Sequence, residues 1–223
     1  MNDRPMPSAE LRARVLAAAR ARPAASRTTW QRRGAVRLAV GVALSVGVLL
    51  AIGGPSADGR PAGYFSIVLG LWAVVAMAAT WFGVTRGRSM LGRPAWARVA
   101  VAVLTPVALF ATAVAAGAAW PSGVVGHSDL RHHAVCVTCT LVMALGPFVA
   151  FLAMRRGSDP VAPRLMGAAL GAAAGAWGAA CIELRCGLAT VDHVVLGHVL
   201  PVAVISAVGF LLGARWLAVR SVP

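Results

Sequence analysis

Four cysteines and five histidines carry most of the chemistry open to this chain. Cys136 and Cys139 are followed by Cys181 and Cys186; His127, His132 and His133 precede the first pair, and His193 and His198 follow the second. The first 126 residues contain neither residue type. A thiol pair in an oxidising compartment can cycle between dithiol and disulfide, and a thiol near the amino end of a helix is acidified by the helix dipole. Thiolate and imidazole together suit a soft cation such as zinc or copper. The plain structural alternative makes the cysteines small buried apolar residues and the histidines solvated loop groups. A C-x-x-C spacing decides little among these, because residues three apart on a helix share a face in any case. The gathering of all nine residues in one part of the chain is the stronger signal. Cys136, Cys139, Cys181 and Cys186 are therefore the candidate signal-sensing residues, and the five histidines are candidate metal ligands. No cofactor is required, although zinc or copper would suit the cluster. Four cysteines permit three full pairings, and spacing selects none of them.

These residues must be positioned by helices that cross a membrane. Six apolar stretches run roughly over Ala35–Ile52, Tyr64–Val84, Val99–Trp120, Ala134–Met154, Leu165–Glu183 and Val194–Ala214. Each approaches the ~20 residues that span the hydrocarbon core at about 1.5 Å per residue. The loops between them are short and rich in Gly, Pro, Arg and Asp, which is turn chemistry. The expected fold is an all-α membrane protein, a bundle of six transmembrane helices over residues 35–214. A cytoplasmic segment, 1–34, precedes it, and a short cytoplasmic tail, 215–223, follows. Arg32-Arg33 ahead of an apolar run resembles a twin-arginine signal, but retaining the first span as an anchor keeps both termini on the side that their charges favour.

Charge orients the bundle. All 21 basic residues are arginine, and eighteen fall on one side: before the first span or at its start (Arg37), in the second and fourth connections, or after the last span. Arg60, Arg131 and Arg185 are the remainder. With the acidic residues included, one side carries a net +15 and the other −1. The positive-inside rule then makes both termini cytoplasmic and places the Cys/His cluster near the outer membrane–water boundary. The arginines flank spans where anionic lipid head groups lie, so the high isoelectric point indicates the lipid bilayer as partner rather than nucleic acid. Trp30, Trp96, Trp120 and Trp216 fall near span ends as interfacial anchors.

Each ionisable residue of the spans sits within a turn or so of an end, as with Arg37, Glu183 and His198. Transporters and proton pumps need polar groups at depth. The chain has no P-loop, no paired catalytic carboxylates and no H-E-x-x-H helix, so it is expected not to be an enzyme. Gly167, Gly171, Gly175 and Gly178 form a ridge on the fifth span that lets a neighbouring helix approach closely. Two alternatives in other classes are a membrane thiol oxidoreductase using the four cysteines and a small metal or solute permease.

Within the first 34 residues, Pro7-Ser8-Ala9-Glu10-Leu11 reads as a helix start with Ser8 as N-cap. Leu11, Val15 and Ala18 share one stripe with Leu16 and Ala19 beside it, and Arg12, Arg14 and Arg20 surround the remainder. A short amphipathic helix on a tether, Pro23 to Thr29, either lies on lipid or docks in a partner's groove.

The last three spans resemble the six-span, NrsF-like anti-sigma factors of bacterial inner membranes. The resemblance rests on Cys136 eleven residues before Pro147, and on the turn Arg155-Arg156-Gly157-Ser158-Asp159-Pro160. It continues through the small-residue stretch from Gly167 to Gly175, then Cys186 and the acidic Asp192, covering roughly residues 130–215 in order. It implies a negative regulator of transcription, bound to the bacterial inner membrane, that sequesters an extracytoplasmic-function sigma factor until an oxidant, a metal or a light-derived signal arrives. It further implies that the amino-terminal segment contacts the sigma factor and that the pair matching Cys136 and Cys186 takes part in sensing; the stripe reading makes Leu11, Val15 and Leu16 the candidate sigma-binding residues. Arg185 stands where the family often has His, and Gly197-His198 near where it has an aromatic pair. Cys139 and Cys181 are additions to the family pattern, and the oligomeric state is left open.

Overall fold

The computed structural model describes residues 10, 13, 17, 27–56, 62–85, 93–120, 129–159 and 161–218. Leu11, Val15, Leu16 and His127 lie outside them. Among the described residues there are six helices long and apolar enough to cross a membrane. They are α1 (Arg27–Ala51), α2 (Ala62–Val84), α3 (Ala95–Ala119), α4 (Leu130–Arg155), α5 (Pro163–Glu183) and α6 (Val191–Trp216). The chain divides between Val36 and Arg37, inside α1, into two units, Met1–Val36 and Arg37–Pro223. In the first unit Glu10, Ala13 and Ala17 are helical and exposed, and the helix from Arg27 carries Arg32 and Arg33 exposed. The second unit holds the remainder of α1 and the other five helices.

Several helices extend beyond the apolar runs. α1 begins eight residues before Ala35, because arginine is a good helix former and the helix needs no hydrocarbon to continue. Arg37 thus lies well inside the helix rather than near its end, and its guanidinium donates to the Ala153 carbonyl at 2.9 Å. α6 begins three residues before Val194 and takes His193 into the helix.

α5 is the central helix. It is buried along almost its whole length, whereas α2 and α3 each bury one stripe. Tyr64, Val68, Trp72, Ala76 and Ala79 recur at helical spacing on the buried face of α2, while Ile67, Leu71, Val74 and Trp81 are exposed. Exposed apolar side chains at this density suit lipid, not water. The core follows from α5's small residues. A Cβ placed on Gly167 would stand 2.0 Å from the Gly209 carbonyl oxygen, and one on Gly209 would stand 2.1 Å from the Gly167 oxygen. The α5 and α6 backbones therefore touch, as the glycine ridge predicts. Gly178 serves α4 instead, since its Cβ would meet the Thr140 oxygen at 2.5 Å.

The two ends of the bundle differ in their ties. At the arginine-rich end the buried side chains of Arg98 and Asp159 pair at 2.8 Å. Asp159 also accepts from the Val161 and Ala162 amides at 3.1 and 3.0 Å. Its own amide donates to Leu217 O at 3.0 Å, so the α4–α5 turn is joined to the end of α6. At the opposite end Arg185 Nε donates to the Ile52 carbonyl at 3.1 Å, satisfying an orphan acceptor past the end of α1. Ser56 N donates to Leu184 O at 2.8 Å alongside it. Trp120 packs edge-on against Tyr64, and Trp96 and Trp216 are exposed near helix ends.

Candidate functional site

Span six is shaped at its entry by two residues of its own sequence. Pro201 has no N–H, so the Gly197 carbonyl four residues earlier cannot receive the usual helical bond. Residues Val195–Val199 form a π turn there, with Leu200 N–H donating to Val195 O. π turns are inserted one at a time and often mark functional positions. The Gly197 carbonyl turns to α4, where the Thr140 hydroxyl stands 3.0 Å away. That hydroxyl is also 2.8 Å from Cys136 O, so one proton serves two acceptors. Gly197 itself permits the approach: a Cβ there would meet Cys136 Cβ at 3.0 Å. A helix crossing apolar surroundings must satisfy its freed backbone groups internally, and Thr140 does so across the helix pair.

This arrangement brings Cys136 of α4, Cys186 of the α5–α6 connection, and His193 and His198 of α6 together. Their ligand-capable atoms all lie within 4.8 Å of one another, and all four residues are buried. Cys136 Sγ lies 3.7 Å from Cys186 Sγ. Cys186 Sγ lies 3.2 Å from His193 Nε2. The His193 and His198 rings meet edge to face with centroids 5.5 Å apart. His198 Nδ1 is 2.8 Å from Glu183 Oε2, both side chains fully buried. A carboxylate there selects the tautomer with the proton on Nδ1 and leaves Nε2 as a lone pair. His198 Nε2 and His193 Nδ1 are both buried without a hydrogen-bond partner. Trp72 of α2 closes the far side edge-on to His198, with its indole N–H held by Thr112 at 2.7 Å.

The Cys136 thiol beside Cys186, together with the His193 and His198 imidazoles, holds the Cys186 thiol below the ordinary cysteine range, against the opposing effect of burial.

The sequence expectations meet the geometry unevenly. Cys136 and Cys186 are brought together, rather than the sequence neighbours Cys136/Cys139 and Cys181/Cys186. Cys139 and Cys181 are half-buried and pack against the apolar cluster of Leu49, Met143 and Ile182 that backs the site; neither belongs to the four-residue group. His132 is a solvated cap residue: its ring lies 2.6 Å from Asp129 Oδ1 and its side chain is more than half exposed. Asp129 caps α4 by accepting from the His132 amide at 2.8 Å, and that N–H holds its carboxyl below the usual carboxylate range. His133 stacks on His193 with centroids 5.0 Å apart and lies 4.0 Å from Asp192. His193 and His198 are fully buried, so neither is a solvated loop residue. His198 is two turns into α6, deeper than its position near the start of the apolar run indicates. Thr140, Glu183, Gly197 and Pro201 are parts of the site that no motif announces; only the Gly-x-x-x-Pro spacing in an apolar run marks a helix defect.

The set can act in two ways on geometry alone. Two sulfurs and two imidazole nitrogens can hold a metal ion. The sulfurs are also near enough to form a disulfide after a small movement, since bonded sulfurs stand about 2.03 Å apart.

The model of the NrsF family, negative regulator of sigma F, matches residues 17–218 of the chain. No curated protein and no solved structure matches it.

Proposed function

This chain belongs to the NrsF family, and on that premise we propose that it is a membrane-bound anti-sigma factor that holds an extracytoplasmic-function sigma factor at the bacterial inner membrane. The observation that carries this is the family match, which runs through all six spans. The arginine-rich end of the bundle faces the cytoplasm, with both termini. The amino-terminal segment supplies the contact with the sigma factor, through the stripe of Leu11, Val15 and Leu16. An amphipathic helix read at these offsets fits a groove on a partner.

Cys136, Cys186, His193 and His198 receive the envelope signal near the outer boundary. An oxidant, a metal or a light-derived species acts on the sulfurs there and changes the packing of α4 against α6. Three features support sensing rather than turnover. The four residues are buried, they lie on three different elements, and two of those elements, α4 and α6, are joined through Thr140 and the π turn. Transmission to the amino-terminal segment requires two states of the bundle whose balance the signal shifts.

The test is a purification of the tagged full-length protein beside a form lacking residues 1–34, with the retained proteins identified by mass spectrometry. A sigma factor should be held by the first and lost by the second. Leu11→Asp and Val15→Asp should likewise raise a sigma-dependent reporter to its constitutive level at unchanged protein abundance. Full repression by both variants would remove the stripe from the interface.

A further inference from the structure

We propose that Cys136, Cys186, His193 and His198 form a four-coordinate site for a resident d¹⁰ divalent cation of the zinc class, with Glu183 orienting one of its imidazoles. This deepens the sensing role proposed above and rests on it only for what ion loss does to repression; ion binding itself is measured apart.

The geometry is close to what such an ion needs. Two thiolates about 2.3 Å from a tetrahedral ion stand about 3.8 Å apart, and a thiolate and an imidazole nitrogen about 3.6 Å apart. The sulfurs are separated by 3.7 Å, and Cys186 Sγ and His193 Nε2 by 3.2 Å. All four ligand atoms fall within 4.8 Å of one another, so only small adjustments of side chains close a shell.

A second observation points to a ligand. His198 presents a buried Nε2 with no hydrogen-bond partner, while its Nδ1 is held at 2.8 Å by the buried carboxylate of Glu183. Leaving a buried polar atom unpaired is unfavourable unless something else occupies its lone pair. Metal-bound histidine commonly donates its other ring N–H to a carboxylate, which fixes the ring and makes the free nitrogen more basic. Glu183 and His198 reproduce that pairing in a location where an uncompensated carboxylate would be expensive.

The charge also balances. Binding of the dication displaces the two thiol protons to water, leaving two thiolates, two neutral imidazoles and a net charge of zero in the shell. Two N and two S ligands in a compact set suit zinc better than a hard oxygen-seeking cation. Cys139 and Cys181 stay outside the shell and pack against its apolar backing. His133 is the partly exposed ring over His193.

The full-length protein, purified in detergent under reducing conditions without chelator, should retain about one zinc per chain by elemental analysis. Replacement by Co²⁺ should produce the intense thiolate-to-metal absorption of a tetrahedral site. Cys186→Ser and His198→Asn should each lose the ion and the absorption. A Cys139→Ser/Cys181→Ser double variant should keep both. Glu183→Gln should bind Co²⁺ about 10–100-fold more weakly while keeping the same spectrum. Circular dichroism and gel filtration report which variants fold, and the wild-type measurement stands without them. Folded wild-type protein with four titratable thiols, no retained zinc and no cobalt absorption would overturn the proposal. Equal ion content in wild type and in folded Cys186→Ser and His198→Asn would do so as well. Copurification of a sigma factor is scored in the same preparations: an ion without a sigma factor sinks the regulator reading alone, and a sigma factor without an ion sinks the site alone.

Discussion

Thr140 divides one proton between the carbonyls of Cys136 and Gly197, and it thereby joins the helix that carries one sulfur to the helix that carries both imidazoles. Thr140→Val keeps the shape and removes the proton, leaving the Gly197 carbonyl buried and unpaired. The expected loss is about 1–3 kcal/mol, visible as a lower midpoint of thermal unfolding in detergent, and Thr140→Ser should recover most of it. If Thr140→Val unfolds at the wild-type temperature, the cross-helix bond contributes nothing and the π turn is satisfied in another way. Gly197 acts at the same point through its lack of a side chain, since a methyl there would press on Cys136 at 3.0 Å.

Helices α5 and α6 touch backbone to backbone, and α4 lies against the same central helix through Gly178. These contacts set the distance between the elements that bear the site, because α4 and α6 both pack on α5. In lipid there is no hydrophobic drive between helices, so close packing of small residues carries the association. Gly167→Leu would place a side chain where the Gly209 carbonyl sits. It should destabilise the bundle by about 1–3 kcal/mol or prevent its folding. Gly70, whose added Cβ meets nothing within 4 Å, is the control: Gly70→Ala should leave the unfolding midpoint unchanged or slightly raised. Equal effects at the two positions would show that close approach along α5 is not what holds α6 in place.

The unit Arg37–Pro223 has one end rich in arginine and one end bearing the Cys/His site, and the proposed role depends on which faces the cytoplasm. Leu130 at the start of α4 and Val161 in the α4–α5 turn are both well exposed and lie at opposite ends. In a background lacking the four native cysteines, a membrane-impermeant maleimide applied to intact cells should label Leu130→Cys and not Val161→Cys. The reverse pattern would put the site in the cytoplasm and overturn its role as an envelope sensor. The buried Arg98–Asp159 pair at the arginine-rich end ties α3 to the turn between α4 and α5, and through Leu217 to the end of α6, so this end is braced by charge while the opposite end is braced by the site.

Six apolar runs, their lengths and the lopsided arginines were determined by composition, because burial in hydrocarbon is a property of each segment taken alone. The glycine ridge of α5 was equally legible, since a spacing of four on a helix specifies one face whatever lies against it. The site was legible only as a gathering of nine residues. Which cysteines meet depends on how α4, α5 and α6 are placed side by side, and no spacing within one helix encodes that; Cys136 stands closer in sequence to Cys139 than to Cys186, yet its sulfur meets that of Cys186. The depth of His198 was hidden for a related reason. The ring N–H of His198 is paired at that depth by a carboxylate, and Glu183 brings it from the preceding helix. The choice of ligands, the π turn's partner on α4 and the unpaired nitrogen of His198 are tertiary facts, because each is a distance between elements that the chain itself leaves far apart.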